Sequence, residues 1–297
     1  MDKRIARLVM LLMLMEGCAV LPEERTSQVV GVYPARDGSY TELKAGIVQA
    51  YGGKTPQAWG EALSGVRTTL DTDQPVMALT FDACGGGYDA ELIRFLKHEQ
   101  VPATLFMNGR WIDSHWEVVP EICANPLFEI ENHGRMHKPC SVSGRAAYGI
   151  RGTAGVAELV DEVEINARMI EALTGRKPCF YRPGTAYCDE IGVQVVQKLG
   201  YEVAGYNVLG DAGATYTCDQ VREALLMAPP GAIVLLHMNH PESGTREGVM
   251  QAIPLLRQRG VRFVRLGEYL QQPHPEAAVA RHSAPKRDAG AIIAPGS

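Results

Sequence analysis

From residue 76 onward, short apolar runs alternate with amphipathic segments. The runs are VMALTF (76–81), ATLFM (103–107), LFEIE (127–131), CFYR (179–182), VAGYNV (203–208), AIVLLH (232–237) and FVRL (263–266). Between them, apolar residues recur at helical spacing over 89–98, 155–174, 189–199, 219–227 and 245–258. An apolar run of four to eight residues bounded by turn signals reads as a buried strand. Strands alternating with helices predict an α/β fold with a parallel sheet, open or closed into a barrel. About seven such units in roughly 200 residues suit a barrel one strand short of eight.

The flanks are patterned differently. Residues 19–74 are broken by Gly, Thr and Pro and read as an irregular lead-in to one domain over 75–270. The tail over 271–297 is rich in Pro, Ala and charge, which predicts disorder. At the start, Lys3, Arg4 and Arg7 precede the apolar run Leu8 to Met15, the arrangement of a secretory signal over 1–18. Gly17-Cys18 after that run resembles a bacterial lipoprotein signal, which makes Cys18 a candidate lipid anchor. The expected location is then the periplasm or cell envelope; a short amphipathic helix is the alternative reading.

Composition narrows the field further. Apolar residues make up 46% and charged residues 21%, so the chain can bury a core. A formal net charge of −5 argues against nucleic acid as partner. No apolar run approaches the roughly 20 residues that span a bilayer. A monomer is expected. Seven cysteines less Cys18 leave six, Cys84, Cys123, Cys140, Cys179, Cys188 and Cys218. An exported chain permits disulfides, buried free thiols are equally compatible, and six cysteines allow 15 pairings. No C-x-x-C pair occurs, which argues against a structural zinc knuckle.

Candidate chemistry gathers at the strand ends, where barrels of this kind build their sites. The first strand ends in Asp82 within TFDACGG, and the third runs into His133 and His137 of NHGRMH. The fourth ends in Arg182 within YRPGTAY, Asp211 follows the fifth, and the sixth ends in His237. On a helix, the i, i+4 spacing of His133 and His137 would set their Cβ atoms about 5–6 Å apart, close enough to share a metal ion. An amide substrate needs an activated water, an electrophile for its carbonyl oxygen and an acid for its nitrogen. A metal with a carboxylate and an imidazole meets all three needs.

This ordered set, TFD, NHxxxH, an R-P loop, a strand-end Asp and L-x-H, resembles the polysaccharide deacetylase family. VPATLFMNGRWID (101–113), LTGRKPCFYRP (173–183) and GVRFVRLGEYL (260–270) extend the resemblance over about residues 74–270. It implies a distorted (β/α)7 barrel with parallel strands. The implied activity is hydrolysis of N-acetyl groups from an N-acetylated glycan with a divalent metal, most often zinc. Asp82 then stands as general base paired with Arg182, His237 as general acid oriented by Asp211, and His133 and His137 as metal ligands. Peptidoglycan is the expected glycan, and the loop over 141–155, with Arg145 and Arg151, is the expected specificity rim.

Two departures from the family pattern matter. The family reads TFDDG and takes its third ligand from the second Asp, where this chain has Ala83. Asp89 is the nearest spare carboxylate and is expected to replace it, against its competing use as a helix N-cap; the Cys84 thiolate is the other donor at hand. The loop reads RPGTAY rather than RPPYG, and within it Tyr187 is assigned to substrate binding. The loss at Ala83 also raises a second reading, a carbohydrate-binding pseudoenzyme on the same scaffold.

Overall fold

The computed structural model describes residues 37–271. The expected secretory signal over 1–18, the candidate lipid anchor at Cys18 and the residues of the expected tail from 272 therefore lie outside the described residues. In chain order the elements are α1 (Gly38–Tyr51), β1 (Trp59–Gly60), β2 (Val66–Arg67), β3 (Val76–Ala83), α2 (Ala90–His98), β4 (Ala103–Met107), α3 (Gly109–Ser114), α4 (Val119–Ala124), β5 (Phe128–Asn132) and α5 (Val156–Thr174). They continue as β6 (Phe180–Tyr181), β7 (Cys188–Asp189), α6 (Glu190–Lys198), β8 (Glu202–Ala204), β9 (Val208–Leu209), α7 (Cys218–Leu226), β10 (Ala232–His237), α8 (Thr245–Gln258), β11 (Arg262–Phe263) and α9 (Leu266–Gln271).

The parallel sheet predicted from the alternating runs is present. Its strands run in the order β2-β8-β6-β5-β4-β3-β10-β9, with β11 beside the start of β3. Every pairing within it is parallel. The sheet curls into a barrel left open between β2 and β9, which is the distortion that the family resemblance implied. β3 shows why such strands read as apolar runs: all eight of its residues are buried, because the sheet is covered on both faces. Its period-2 alternation sends Met77, Leu79, Phe81 and Ala83 into the core shared with the helices. Ala78 points the other way, into the barrel with Phe106, Phe180 and Ile233. Thr80 and Asp82 follow Ala78 on that inner face.

In register, Ala78 pairs with Ile233, Thr80 with Leu235 and Asp82 with His237. Asp82 and His237 are therefore neighbours on adjacent strands, both at the carboxyl end. Among the helices, α5 ends at Gly175, whose φ of 70° is the left-handed stop expected of a C-terminal glycine.

The lead-in is more ordered than its composition suggested. Residues 38–51 form a 14-residue helix capped by Asp37, whose side chain accepts from the Tyr40 backbone N–H. Tyr40 and Ile47 are its buried residues, too sparse an apolar stripe to stand out in the sequence. β2 joins the parallel sheet at β8, and β1 pairs antiparallel with β7. The run read as one strand over 203–208 is two, β8 and β9. Between them a Cβ on Gly205 would come within 2.8 Å of Val66 Cγ1, so the lead-in crosses where the side chain is missing. All six cysteines from Cys84 to Cys218 are free thiols. Among the described residues, no helix is long and apolar enough to cross a membrane.

Candidate active site

Two buried acid–base pairs stand side by side at the carboxyl ends of β3 and β10. Arg182, fully buried, donates from Nη1 to Asp82 Oδ1 at 2.8 Å and to Thr80 Oγ1 at 2.8 Å, and from Nη2 to the Gly205 carbonyl at 2.9 Å. Its guanidinium also lies 4.1 Å from the centre of the Phe106 ring. Burial alone would raise the Asp82 carboxyl, but the charge of Arg182, helped by His133 and His237, holds it below the ordinary carboxylate value. Asp82 is thus kept ionised.

The second pair is His237 with Asp211. His237 Nδ1 lies 2.9 Å from Asp211 Oδ1, and Asp211 Oδ2 accepts from the His237 backbone N–H at 2.7 Å and from Thr245 Oγ1 at 2.9 Å. Burial lowers the imidazole's proton affinity, while the Asp211 hydrogen bond and charge and the adjacent Cys84 more than restore it. His237 is held well above its ordinary value, with Nδ1–H on Asp211 and Nε2 left to carry a transferable proton.

Between these pairs lies a third group. One ligand atom each from Cys84, His133 and His137 falls within 4.8 Å of the others. His133 Nδ1 lies 2.9 Å from the Arg182 carbonyl, which can only accept, so Nδ1 donates there and Nε2 is the nitrogen that a metal would take on giving up its own proton. Nε2 faces Cys84 Sγ at 3.3 Å and Asp82 Oδ2 at 3.5 Å. Burial pushes the Cys84 thiol up, and His133, His137 and His237 reverse this strongly, leaving it well below the usual thiol range. The donor set fits a metal: one sulfur and two nitrogens suit a borderline-soft ion such as zinc better than magnesium or calcium.

The histidine pair does not sit on a helix. His133 follows β5 directly and His137 lies in a loop with φ of 62°, their ring centres 4.9 Å apart. Glu162 of α5 shapes that loop by accepting from the Met136 backbone N–H at 2.9 Å and the Lys138 N–H at 3.1 Å. Gly184 lets it approach the R-P loop, because a Cβ there would lie 2.4 Å from the His137 carbonyl carbon.

Asp89 is not a ligand in this arrangement. Its Oδ1 accepts from the Leu92 backbone N–H at 2.9 Å, capping α2, and lies 3.3 Å from Arg246 Nη1. The cap won because the TFDACGG turn directs Cys84, not Asp89, toward the histidines. Ala83 is buried on the helix side of β3. Tyr187 stands behind the site: its ring packs on Trp59 and edge-on against Tyr148, and it is Tyr148 that faces the cavity. Arg145 of the 141–155 loop lies over the Trp59 ring, 5.2 Å from its centre.

Sequence reasoning missed Thr80, Thr245 and Glu162. Thr80 was findable, since period 2 puts it on the same strand face as Asp82. Thr245 and Glu162 reach the site only through tertiary packing.

Residues 69–204 match the model of the polysaccharide deacetylase family. Similar solved structures include a peptidoglycan N-acetylglucosamine deacetylase at 20% identity, covering 69% of this chain and 92% of that one with a TM-score of 0.59. A CE4 family pseudoenzyme from Bacillus anthracis is 23% identical over 77% of this chain and 81% of its own, with a TM-score of 0.57. PdaA of Bacillus subtilis, a family 4 carbohydrate esterase, is 20% identical over 77% and 89%, with a TM-score of 0.57. At these identities the likeness establishes the fold. No curated protein matches the chain.

Proposed function

We propose that this chain, which matches the polysaccharide deacetylase family over residues 69–204, hydrolyses N-acetyl groups on an N-acetylglucosamine-containing glycan such as peptidoglycan. It does so with a divalent ion, zinc by donor chemistry, held by Cys84, His133 and His137. The observation that carries this reading is the convergence of those three donors between an ionised Asp82 and a protonated His237.

A bound ion there supplies Lewis acidity for the amide carbonyl and lowers the pKa of water. The remaining work falls to the chain. Asp82 takes the proton from the attacking water; Arg182 holds the carboxylate ionised and fixes its orientation through the shared bond to Thr80. The sugar amine leaves only once protonated, and His237 donates that proton from Nε2. Asp211 keeps the ring oriented and charged until then, and Thr245 and the His237 backbone N–H hold Asp211 in turn.

The pseudoenzyme reading rests on Ala83. Against it stands Cys84, whose sulfur occupies a third donor position beside the two histidines. Acetate release from an N-acetylglucosamine oligomer decides between them. Asp82→Asn and His237→Ala are each expected to lower kcat by about 10²–10⁴-fold, the usual worth of a positioned proton-transfer group. Losses of only a few-fold, with folding retained, would overturn the assignment.

A further inference from the structure

We propose that Glu61, framed by Tyr148 and Tyr206, is an ammonium-binding subsite that favours glycan chains already carrying free glucosamine. The inference rests on the deacetylase reading for the identity of the ligand, and goes beyond it in naming which chains are held best.

A cavity of about 400 Å³ joins the two places: Asp82, Cys84, His137 and His237 line it, and so do Glu61, Tyr148 and Tyr206. Its size is that of a small-molecule site. Glu61 lies outside the segment 69–204 that matches the family, in the lead-in. It is delivered by β1, where Trp59 pairs with Asp189 and Gly60 with Cys188 of β7. Trp59 packs on Tyr187 at 5.6 Å between ring centres, and Tyr187 meets Tyr148 at 5.6 Å and 81°. This aromatic wall fixes the carboxylate at the mouth.

The hydrogen bonds then determine what the wall can recognise. Tyr206 donates to Glu61 Oε2 at 3.0 Å and Tyr148 donates to Oε1 at 3.3 Å. Both phenol protons are spent on Glu61, so the subsite presents acceptors and negative charge. A carboxylate offers about four lone-pair sites, and these two bonds leave half of them open. Among the described residues no Lys or Arg ion-pairs with Glu61, so its charge is available to a ligand. A carboxylate-bearing ligand is repelled there; an ammonium is attracted.

The reaction itself makes that group. Hydrolysis of R–NH–CO–CH₃ by water breaks the C–N bond and yields acetate and R–NH₃⁺, the amine taking the proton. Each turnover thus leaves on the glycan a cation suited to Glu61, and a chain deacetylated at one sugar is held better when a neighbouring sugar reacts.

Calorimetry on the purified full chain tests this without turnover, using the glucosamine tetramer, which has no acetyl group to lose, and the N-acetylglucosamine tetramer. The wild type is expected to bind the glucosamine tetramer about tenfold more tightly than Glu61→Gln does, a modest charge-assisted contribution. That advantage should shrink between about 0.05 M and about 0.5 M salt. Tyr206→Phe keeps the carboxylate and should keep the preference, which separates charge from wall architecture. Equal affinity of wild type and Glu61→Gln for the glucosamine tetramer, or equal weakening toward both tetramers, would overturn the proposal. A protein that releases no acetate yet shows the Glu61-dependent preference would sink the deacetylase reading and leave the subsite standing.

Discussion

At the scale of single residues, the site depends on buried charges that exist in pairs. Arg182 has no exposure, and among the described residues its charge is matched by the carboxylate of Asp82 alone. Removing one member of a buried pair typically costs about 3–5 kcal/mol, because the other is left uncompensated. Arg182→Met should therefore lower stability by about that much in a denaturant titration; an unchanged midpoint would contradict the pairing. Activity should need Asp82 ionised and His237 protonated. With Asp82 held below its usual value and His237 held well above, the profile should be broad, with the alkaline limb above 6.5. Asp211→Asn removes the principal support for the imidazolium, so the alkaline limb of kcat/KM should move down toward the ordinary histidine value. A limb that stays in place would assign it to another group. These four residues were legible because the continuous apolar runs mark where the buried strands end. Cys84 was not singled out as the ligand, since the sequence offers Cys84 and Asp89 as donors and only the turn geometry chooses between them.

At the scale of elements, local pattern and tertiary demand agree for the long strands and disagree in the loops. The apolar runs at 76–81, 103–107 and 232–237 fall within β3, β4 and β10, and helices α2, α5, α6, α7 and α8 lie within or close to their periodic segments. The His133–His137 segment failed as a helix because Glu162 and Gly184 impose a loop from outside it. Gly184→Ala should accordingly push that loop away and weaken zinc affinity by an order of magnitude or more, as other changes to ligand support do. Unchanged affinity would mean the close approach has no role in binding. Asp89→Ala should do the reverse: cost about 1 kcal/mol as a lost N-cap and leave metal content unaltered. Loss of metal in that variant would restore Asp89 as a ligand. Helix α1 and strands β1 and β2 escaped the sequence reading because they are short or sparsely apolar, and each gains stability only by docking on a distant element.

At the scale of the whole molecule, the opened barrel brings residues from distant parts of the chain to one rim. Glu61, Asp82, His137, Tyr148, Tyr206 and His237 share one cavity. The motif-bearing half of that set was visible in the sequence, because strand order dictates where strand ends meet. The lead-in's contribution was not, because no periodicity announces a residue that acts by crossing over a gap in the sheet. In the proposed function, Cys84 replaces the carboxylate missing at position 83 and completes a working metal site. The most direct measurement is the metal content of purified wild type and Cys84→Ala, alongside acetate release from an N-acetylglucosamine oligomer. Close to one equivalent of zinc and measurable acetate are expected from the wild type, with both largely lost in Cys84→Ala and restored in part by Cys84→Asp. Full metal content and unchanged acetate release in Cys84→Ala would contradict it.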